Sequence, residues 1–276
     1  MSRLALPEVT LCAVDGRTPA LALASLARSR AQVDFARSVL FTDLRHPMPP
    51  PPEGIELVDA GPLDSSAAYS RFVLRALPAH VHSAHVLVTQ WDGFVVNPAA
   101  WRDEFLQWDY IGAVWPDMPA AHSVGNGGFS LRSQRLLRAG LDERITELHP
   151  EDLMLCRRHR ALLEREHGVR FAPPELARSF AYENEKPTAP TFGFHGPKNL
   201  PAALDAATLQ AWLALLPEDF FRSRDARRLA RALLSHRMPQ VAADLLRRRQ
   251  SVGRREPATL VLAAAAALMN RLSHGR

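Results

Sequence analysis

The sequence predicts an α/β fold in which helices flank a largely parallel central sheet. Short apolar segments alternate with segments whose Leu and Ala residues recur at helical spacing, and several apolar segments end in an acidic residue. The first predicted strands cover residues 9–15, 38–43, 55–58 and 86–89. Helical segments at 21–29 and 69–77 and a proline-rich loop at 47–52 separate them.

The second half of the chain changes from mixed to helical character. Strands are predicted at 110–114 and 168–171, and residues 123–131 are predicted to be a glycine turn that runs into a strand. Helices are predicted at 101–106, 132–140, 152–166 and 175–180. Beyond Pro201 the pattern is helical, with breaks near Pro217, Pro239 and residues 253–257. We therefore expect an α/β domain at 1–204 and a helical C-terminal extension at 205–276.

Composition is that of a globular protein with a sizeable core. The 276 residues are 47% hydrophobic and 23% charged, and no apolar run reaches the roughly 18 residues that a membrane span needs. The N-terminus lacks the pattern of a secretory signal, so a cytoplasmic location is expected. Cys12 and Cys156 lie in apolar surroundings without metal-ligand spacing, which predicts core thiols and no disulfide.

Positive charge is concentrated at the C-terminal end. From Phe221 onward the chain has thirteen Arg and three acids, a net charge of +10, within a total of +5. Aromatic residues are not interleaved with these arginines as in single-strand binders, so nucleic acid is not the expected partner. Peripheral contact with a membrane or a protein through the basic helices is an expectation that stays open.

Acidic residues stand at the ends of three predicted strands. In an open α/β sheet, ligands bind beyond the carboxyl ends of the strands, where Asp15, Asp43 and Asp92 would lie. Such acids also cap helices and turns, and this interpretation is preferred for Asp43 and equally weighted for Asp15. For Asp92, between a tryptophan and a glycine, we favour ligand binding.

Four segments together resemble a known family. They are QWDGF (90–94), VGNGGFSLR (124–132), HPED (149–152) and FGFHG (192–196). The set is similar to an uncharacterised glycosyltransferase-like family of the GT-A superfamily of nucleotide-diphospho-sugar transferases, over residues 7–201. The resemblance implies a Rossmann-like GT-A sheet. It also implies transfer of a sugar, in the manner of a hexosyltransferase, from a nucleotide-diphospho-sugar to a glycan or other hydroxyl acceptor.

The resemblance also implies a divalent cation, Mn²⁺ or Mg²⁺, on the donor diphosphate. Asp92 matches the second, more directly metal-binding acid of the superfamily's Asp-x-Asp element, whereas Gln90 replaces the first acid with a weaker neutral ligand. His195 would complete the metal shell, and Lys198 would contact the diphosphate.

Further donor contacts are expected from a glycine-rich segment and from a helix. By the resemblance, Asn126, Gly127 and Gly128 line the donor pocket, although Asn-Gly is also a strong signal for a tight hairpin turn. Arg71, in the helix before the Asp92 strand, would contact the nucleotide, or would instead belong to a solvated helix face.

The acid pair Glu151-Asp152 is the candidate for general base. By analogy with inverting galactosyltransferase-type enzymes, Asp152 is the first choice and Glu151 the second, which weakly favours inversion. The alternative is helix capping, since Pro150 suits a first turn.

Two other functions remain as alternatives. A nucleotidyltransferase would want a glycine-rich basic loop after the first strand, where only Gly16 and Arg17 stand. A non-catalytic sugar- or nucleotide-binding module of the same fold stays open because Gln90 replaces an acid.

Overall fold

The computed structural model describes residues 3–274 and divides between His195 and Gly196 into two compact units. The sequence pattern placed this boundary at 204. The structure assigns the 3₁₀ helix Pro197–Ala202 to the helical unit, where it packs against the helix Arg224–Ser235.

The first unit contains all nine strands of residues 3–274. They are β1 (Leu4–Val14), β2 (Val33–Thr42), β3 (Glu56–Asp59), β4 (His85–Thr89), β5 (Phe94–Val95), β6 (Tyr110–Gly112), β7 (Phe129–Ser133), β8 (Ala181–Tyr182) and β9 (Gly193–Phe194). Six of them form a central sheet in the order β3-β2-β1-β4-β7-β6. The first four are parallel, but β7 runs antiparallel to both β4 and β6, so the sheet is mixed where a largely parallel one was predicted.

Both faces of the central sheet are covered, which explains the uninterrupted apolar runs in its strands. Side chains alternate across the pleat, so Leu11 and Leu87 enter one hydrophobic cluster, while Cys12 and Val88 enter the cluster on the opposite face. The two cysteines are buried free thiols, as predicted.

Strand order creates a switch point between β1 and β4. From β1 the chain adds β2 and then β3 on one side, and β4 afterwards pairs with the other side of β1. The connections therefore diverge at this point, and open α/β sheets bind their ligands beyond the carboxyl ends of the strands at such a point. Asp15 directly follows β1, and the segment Gln90–Gly93 directly follows β4.

Seven α-helices accompany these strands in the described part of the first unit. They are α1 (Pro19–Gln32), α2 (Ser66–Arg71), α3 (Leu77–His80), α4 (Gln134–Ala139), α5 (Glu151–Leu153), α6 (Arg160–His167) and α7 (Pro174–Phe180). The π-helical turn Phe72–Ala76 joins α2 to α3, and a second one, Met154–Arg158, lies between α5 and α6. Short 3₁₀ helices lie at Pro98–Ala100, Asp103–Gln107 and Ala120–His122.

Several predicted elements need correction. The strand at 168–171 is only one bridge, between Tyr110 and Phe171, because this segment meets the short edge strand β6 at a single position. The helix predicted at 152–166 is interrupted by its π-helical turn. Arg132, predicted to begin a helix, lies in β7, and α4 starts after the cap formed by Ser133.

A second, three-stranded sheet of order β5-β9-β8 brings distant parts of the chain together. β8 and β9 are parallel, with Tyr182 opposite Phe194. The residues that follow these strands, Glu183 and His195, therefore leave the sheet at the same edge.

The second unit is helical throughout its regular structure among residues 196–274. Its α-helices are α8 (Ala206–Leu215), α9 (Glu218–Arg222), α10 (Arg224–Ser235), α11 (Pro239–Ser251) and α12 (Pro257–His274). Leu229, Leu233 and Leu245 are among its buried residues. Between residues 3 and 274, no helix combines the length and the hydropathy that crossing a bilayer requires.

Candidate active site

The turn after β4 presents Asp92 at the switch point. The amide of Gly93 donates to the carbonyl of Gln90 at 3.2 Å, which closes the turn. The hydroxyls of Ser25 and Thr89 donate to the same Gln90 carbonyl at 3.0 and 3.2 Å, and both also donate to the carbonyl of Gly93. The backbone of the turn is thus held from two sides, and Asp92 is buried, with 5% of its surface exposed.

The apolar residues after the turn belong to the second sheet. Phe94 pairs with Phe194 across β5 and β9, and their ring centroids lie 4.8 Å apart. Gly93 permits this approach, since a Cβ there would lie 2.7 Å from the carbonyl oxygen of Phe194. The chain therefore turns apolar again after Asp92 because β5 joins the sheet that carries His195.

His195 lies among the polar groups of the β4 turn. Its Nε2 is 3.4 Å from Asp92 Oδ1 and 3.2 Å from Gln90 Oε1. On the other side of the ring, Nδ1 is 3.7 Å from Glu183 Oε1. Burial alone would lower the pKa of His195, but the nearby carboxylates, chiefly that of Asp92, outweigh burial and raise it to about 9.

The segment Asn126-Gly127-Gly128 forms the wall of the site beside His195. The amide of Gln90 donates to the carbonyl of Gly128 at 2.9 Å, which ties this segment to the β4 turn. Asn126 has a φ of 57° and donates from Nδ2 to Glu183 Oε2 at 2.6 Å. The segment is not a two-residue hairpin turn, because the loop from β6 to β7 spans residues 113–128.

The glycines of this wall are needed because they lack a side chain. A Cβ at Gly128 would lie 2.0 Å from His195 Nε2, and one at Gly127 would lie 2.2 Å from Glu151 Oε1. Among the described residues of this segment, only Asn126 has a positive φ. Close approach of neighbouring side chains, and not backbone freedom, therefore explains these two glycines.

Asp152 and Glu151 have different surroundings although they are adjacent. Asp152 is half-buried, and its carboxylate accepts from the amides of Gly127 at 3.1 Å and Leu153 at 2.8 Å. Glu151 is buried, and its Oε1 pairs with Nη2 of Arg132 at 2.8 Å. Burial raises the pKa of Glu151, while the guanidinium of Arg132 opposes that effect.

Arg132 is a buried cation that the sequence reading did not select. No part of it is exposed, and it donates from Nε to Ser130 Oγ at 3.0 Å and from Nη2 to the Gly127 carbonyl at 3.3 Å. Its guanidinium also lies 5.5 Å from the ring centroid of Tyr110. The sequence could have identified Arg132 as a charged residue in an otherwise buried strand, since a buried charge requires a counterion. Arg132 thus links the glycine segment to the helix that carries the acid pair.

Glu183 is the second residue that the sequence reading missed. It follows the two-residue strand β8, in a region that appeared loop-like, and it contacts both His195 and Asn126. The segment AYENEKP (181–187) has no feature that distinguishes Glu183 from Glu185. Only the pairing of β8 with β9 places Glu183 beside the imidazole.

Asp15 lies at the switch point and also holds its own turn. Its carboxylate accepts from the amides of Arg17 and Thr18 at 2.7 and 2.6 Å and from the Thr18 hydroxyl at 2.7 Å. Burial raises the pKa of Asp15, these hydrogen bonds oppose it, and the charge of Asp92 raises it further. Asp43 makes an ion pair with Arg45 at 2.6 Å and accepts from the Arg45 amide at 3.1 Å, as its capping interpretation expects.

Arg71 and Lys198, the remaining predicted contacts of the donor, belong to two helices. Arg71 ends α2 with an exposed side chain, whereas the hydroxyl of Tyr69 on the same helix is buried. Because that hydroxyl is buried, α2 presents Tyr69 to the interior. Burial, and after it the charge of Glu151, raises the pKa of the phenol. Lys198 belongs to the second unit, in the helix Pro197–Ala202, and its contact with a diphosphate stays a prediction.

The site has more acidic than basic groups. Its acids are Asp15, Asp92, Glu151, Asp152 and Glu183, and its described cations are Arg132 and His195 when protonated. Asp92 Oδ1 and Asn126 Oδ1 are buried and accept no hydrogen bond from residues 3–274. Buried acceptors without donors are rare in folded proteins, and such oxygens are suited to binding a cation or a hydrogen-bond donor.

A divalent cation is consistent with this donor set. No three His, Cys, Asp or Glu side chains within residues 3–274 form a metal-binding group by themselves. However, Asp92 Oδ1, Gln90 Oε1 and His195 Nε2 converge, and Asp92 Oδ1 accepts no well-aligned hydrogen bond from residues 3–274. Two oxygens and an imidazole nitrogen suit Mn²⁺ or Mg²⁺ when a phosphate-bearing substrate supplies further oxygens.

Comparison with known proteins places the chain in a family without assigning its activity. Residues 54–195 match the family described as "Protein of unknown function (DUF5672)", and the chain belongs to this family. The match includes Asp92, Asn126, Asp152, Glu183 and His195. A search among curated proteins gives no match.

Proposed function

We propose that this member of the family is a GT-A-type glycosyltransferase that moves a sugar from a nucleotide-diphospho-sugar to an acceptor hydroxyl. One observation carries the proposal: Asp92 stands at the β1–β4 switch point with a buried carboxylate oxygen that accepts no hydrogen bond from residues 3–274. His195 and Gln90 converge on that oxygen, and Asp152 is held on the adjoining glycine segment. An α/β sheet binds nucleotides at such a point.

Charge supports a cation-assisted donor site. A diphosphate brought to a site that contains Asp15, Asp92 and Glu183 would be repelled by their carboxylates. Asp92 and His195, with the Gln90 carboxamide, would hold a divalent cation there. When bound, the cation supplies Lewis-acid stabilisation of the charge that develops on the departing diphosphate.

The chain's own residues would position the two substrates. Gly127 and Gly128 allow Glu151 and His195 to approach the backbone of this segment closely, and the amide of Gly127 holds the carboxylate of Asp152. Asn126, held by Glu183, keeps a free Oδ1 lone pair that can accept from a sugar hydroxyl. Such contacts would bring the acceptor oxygen in line with the anomeric carbon.

Asp152 is the general base in this proposal. Its carboxylate would take the proton of the acceptor hydroxyl as the oxygen bonds to the anomeric carbon and the bond from that carbon to the diphosphate breaks. Attack opposite to the leaving group inverts the anomeric centre. Glu151, the second choice from sequence, is engaged by Arg132 and is better placed to orient the acid-bearing helix than to accept this proton.

The donor site is tested by calorimetric titration with UDP and with GDP, each with and without Mn²⁺. The proposal expects binding of one nucleotide that depends on Mn²⁺ and that falls at least about tenfold in Asp92→Asn, since a carboxamide carries no charge. Asp43→Asn is the matched control, because Asp43 also follows a parallel strand and is 6% exposed, against 5% for Asp92. Equal loss in both variants, or no binding to the wild type, would contradict the donor site.

A non-catalytic binding module is the second candidate. The protonated imidazole of His195 can neutralise Asp92 and Glu183 without any metal, and Gln90 is not an acid. An assay for free sugar released from the bound nucleotide sugar separates the two candidates. A glycosyltransferase should release sugar, and its Asp152→Asn variant should lose that activity. A module would bind the donor and leave it intact.

A further inference from the structure

The last helix of the second unit has an exposed apolar face. Leu260, Val261, Leu268 and Leu272 are 49%, 67%, 59% and 65% exposed, which makes them four of the most exposed large apolar side chains in the described part of the chain. With the exposed Ala264 and Ala267 they recur at spacings of three, four and seven residues, which places all six on one side of α12 (the set is Leu260, Val261, Ala264, Ala267, Leu268 and Leu272). We call this set the α12 stripe.

The opposite side of α12 is packed within the same unit. Thr259 and Ala266 are fully buried, and α12 contacts α10 and α11. The Thr259 hydroxyl accepts a hydrogen bond from Nε of the buried Arg249 at 2.9 Å. The helix is therefore held in place by one side, and the stripe on its other side faces outward along an element of about 27 Å.

Arginines stand at both ends of the stripe. Arg254 and Arg255 are exposed just before α12, and Arg271 is exposed in the helix itself. The helix contains no acid, and the nearest one, Glu256, pairs with Arg249. Asp225 and Asp244 each pair with an arginine three residues on, so the acids of the neighbouring helices do not offset the excess of arginine.

We propose that the α12 stripe docks on a membrane surface that contains anionic lipids. An apolar face flanked by arginines lies stably at the boundary between headgroups and acyl chains, where both features find partners. A second copy of the chain fits less well, because each copy carries a net charge of +10 from Phe221 onward and the two would repel each other. The inference is independent of the proposed activity, since it concerns neither nucleotide nor acceptor.

The test is co-sedimentation of the full chain with vesicles of phosphatidylcholine alone and with phosphatidylglycerol added. We expect binding only to the anionic vesicles, weakened by high salt. The double variant Val261→Ser/Leu268→Ser should lower the partition coefficient at least about tenfold, because two large apolar side chains no longer enter the interface. The variant Arg254→Gln/Arg255→Gln should also lower it.

Leu215→Ser is the matched control, because Leu215 is 53% exposed in the same unit but lies on α8. Its partition coefficient should stay within about twofold of the wild type. Circular dichroism checks that each variant keeps its helices. Failure of the wild type to bind anionic vesicles, or unchanged binding by the double variant, overturns the proposal. A wild-type dimer that the double variant converts to monomer would assign the stripe to a second copy instead.

Discussion

Gly128 lies directly against the imidazole of His195, so closely that a Cβ at position 128 would be 2.0 Å from His195 Nε2. The same ring nitrogen faces Asp92 and Gln90. The absence of one side chain in the glycine segment thus permits the convergence on which the proposed cation site depends.

Gly128→Ala should therefore weaken Mn²⁺-dependent nucleotide binding at least about tenfold, because the added methyl displaces the ring from Asp92. Calorimetry measures the effect. Gly140→Ala is the control, since its φ is −62° and a Cβ there would have no neighbour nearer than 3.4 Å. Unaltered binding by Gly128→Ala would show that the position of His195 is not required.

Asp152→Asn should separate chemistry from binding. Loss of a general base lowers kcat by about 10²–10⁴-fold, whereas an amide oxygen can still accept the hydrogen bond from Gly127. We expect nucleotide affinity within about threefold of the wild type. The measurement is sugar transfer or donor hydrolysis beside calorimetry, with Asp59→Asn, an exposed acid that ends β3, as control. A variant that keeps its kcat would remove Asp152 from the role of base.

The Arg132–Glu151 pair should stabilise the fold only as a pair. Removing one member leaves the other as an uncompensated buried charge, so Arg132→Met and Glu151→Leu are each expected to lower the free energy of unfolding by about 3–5 kcal/mol. The double variant should recover most of that loss. Urea denaturation of all four proteins gives the double-mutant cycle. Additive losses in the double variant would mean that the two side chains do not depend on each other.

The two thiols should be unreactive in the folded protein. Burial is the main reason that the pKa of Cys12 is raised to about 12, and it raises the pKa of Cys156 as well, so neither forms a thiolate near neutral pH. Titration with a chromogenic disulfide reagent should find no fast-reacting thiol in native buffer and two in denaturant. One thiol that reacts at once in native buffer would contradict the buried position of that cysteine.

Local pattern was enough for the parallel part of the sheet. The strands predicted at 38–43, 55–58 and 86–89 correspond to β2, β3 and β4, because strands buried on both faces leave continuous apolar runs that end at polar residues. The direction of β7 was not predictable in this way. A strand's own sequence does not indicate whether its neighbour runs parallel or antiparallel, and here the mixed sheet resulted.

The sequence by itself determined which kinds of groups would be available: acids after strands, a glycine segment beside them, an acid pair behind a proline, a late histidine and a basic helical end. Tertiary structure alone decided which of them meet. Pairing of β8 with β9 places Glu183 beside His195, which is twelve residues away in sequence. Arg132 in β7 forms an ion pair with Glu151 of the acid-bearing helix, whereas the adjacent Asp152 is half-buried. The reason is physical, since a side chain's role depends on its neighbours in space, and these come from strand pairings distant in sequence.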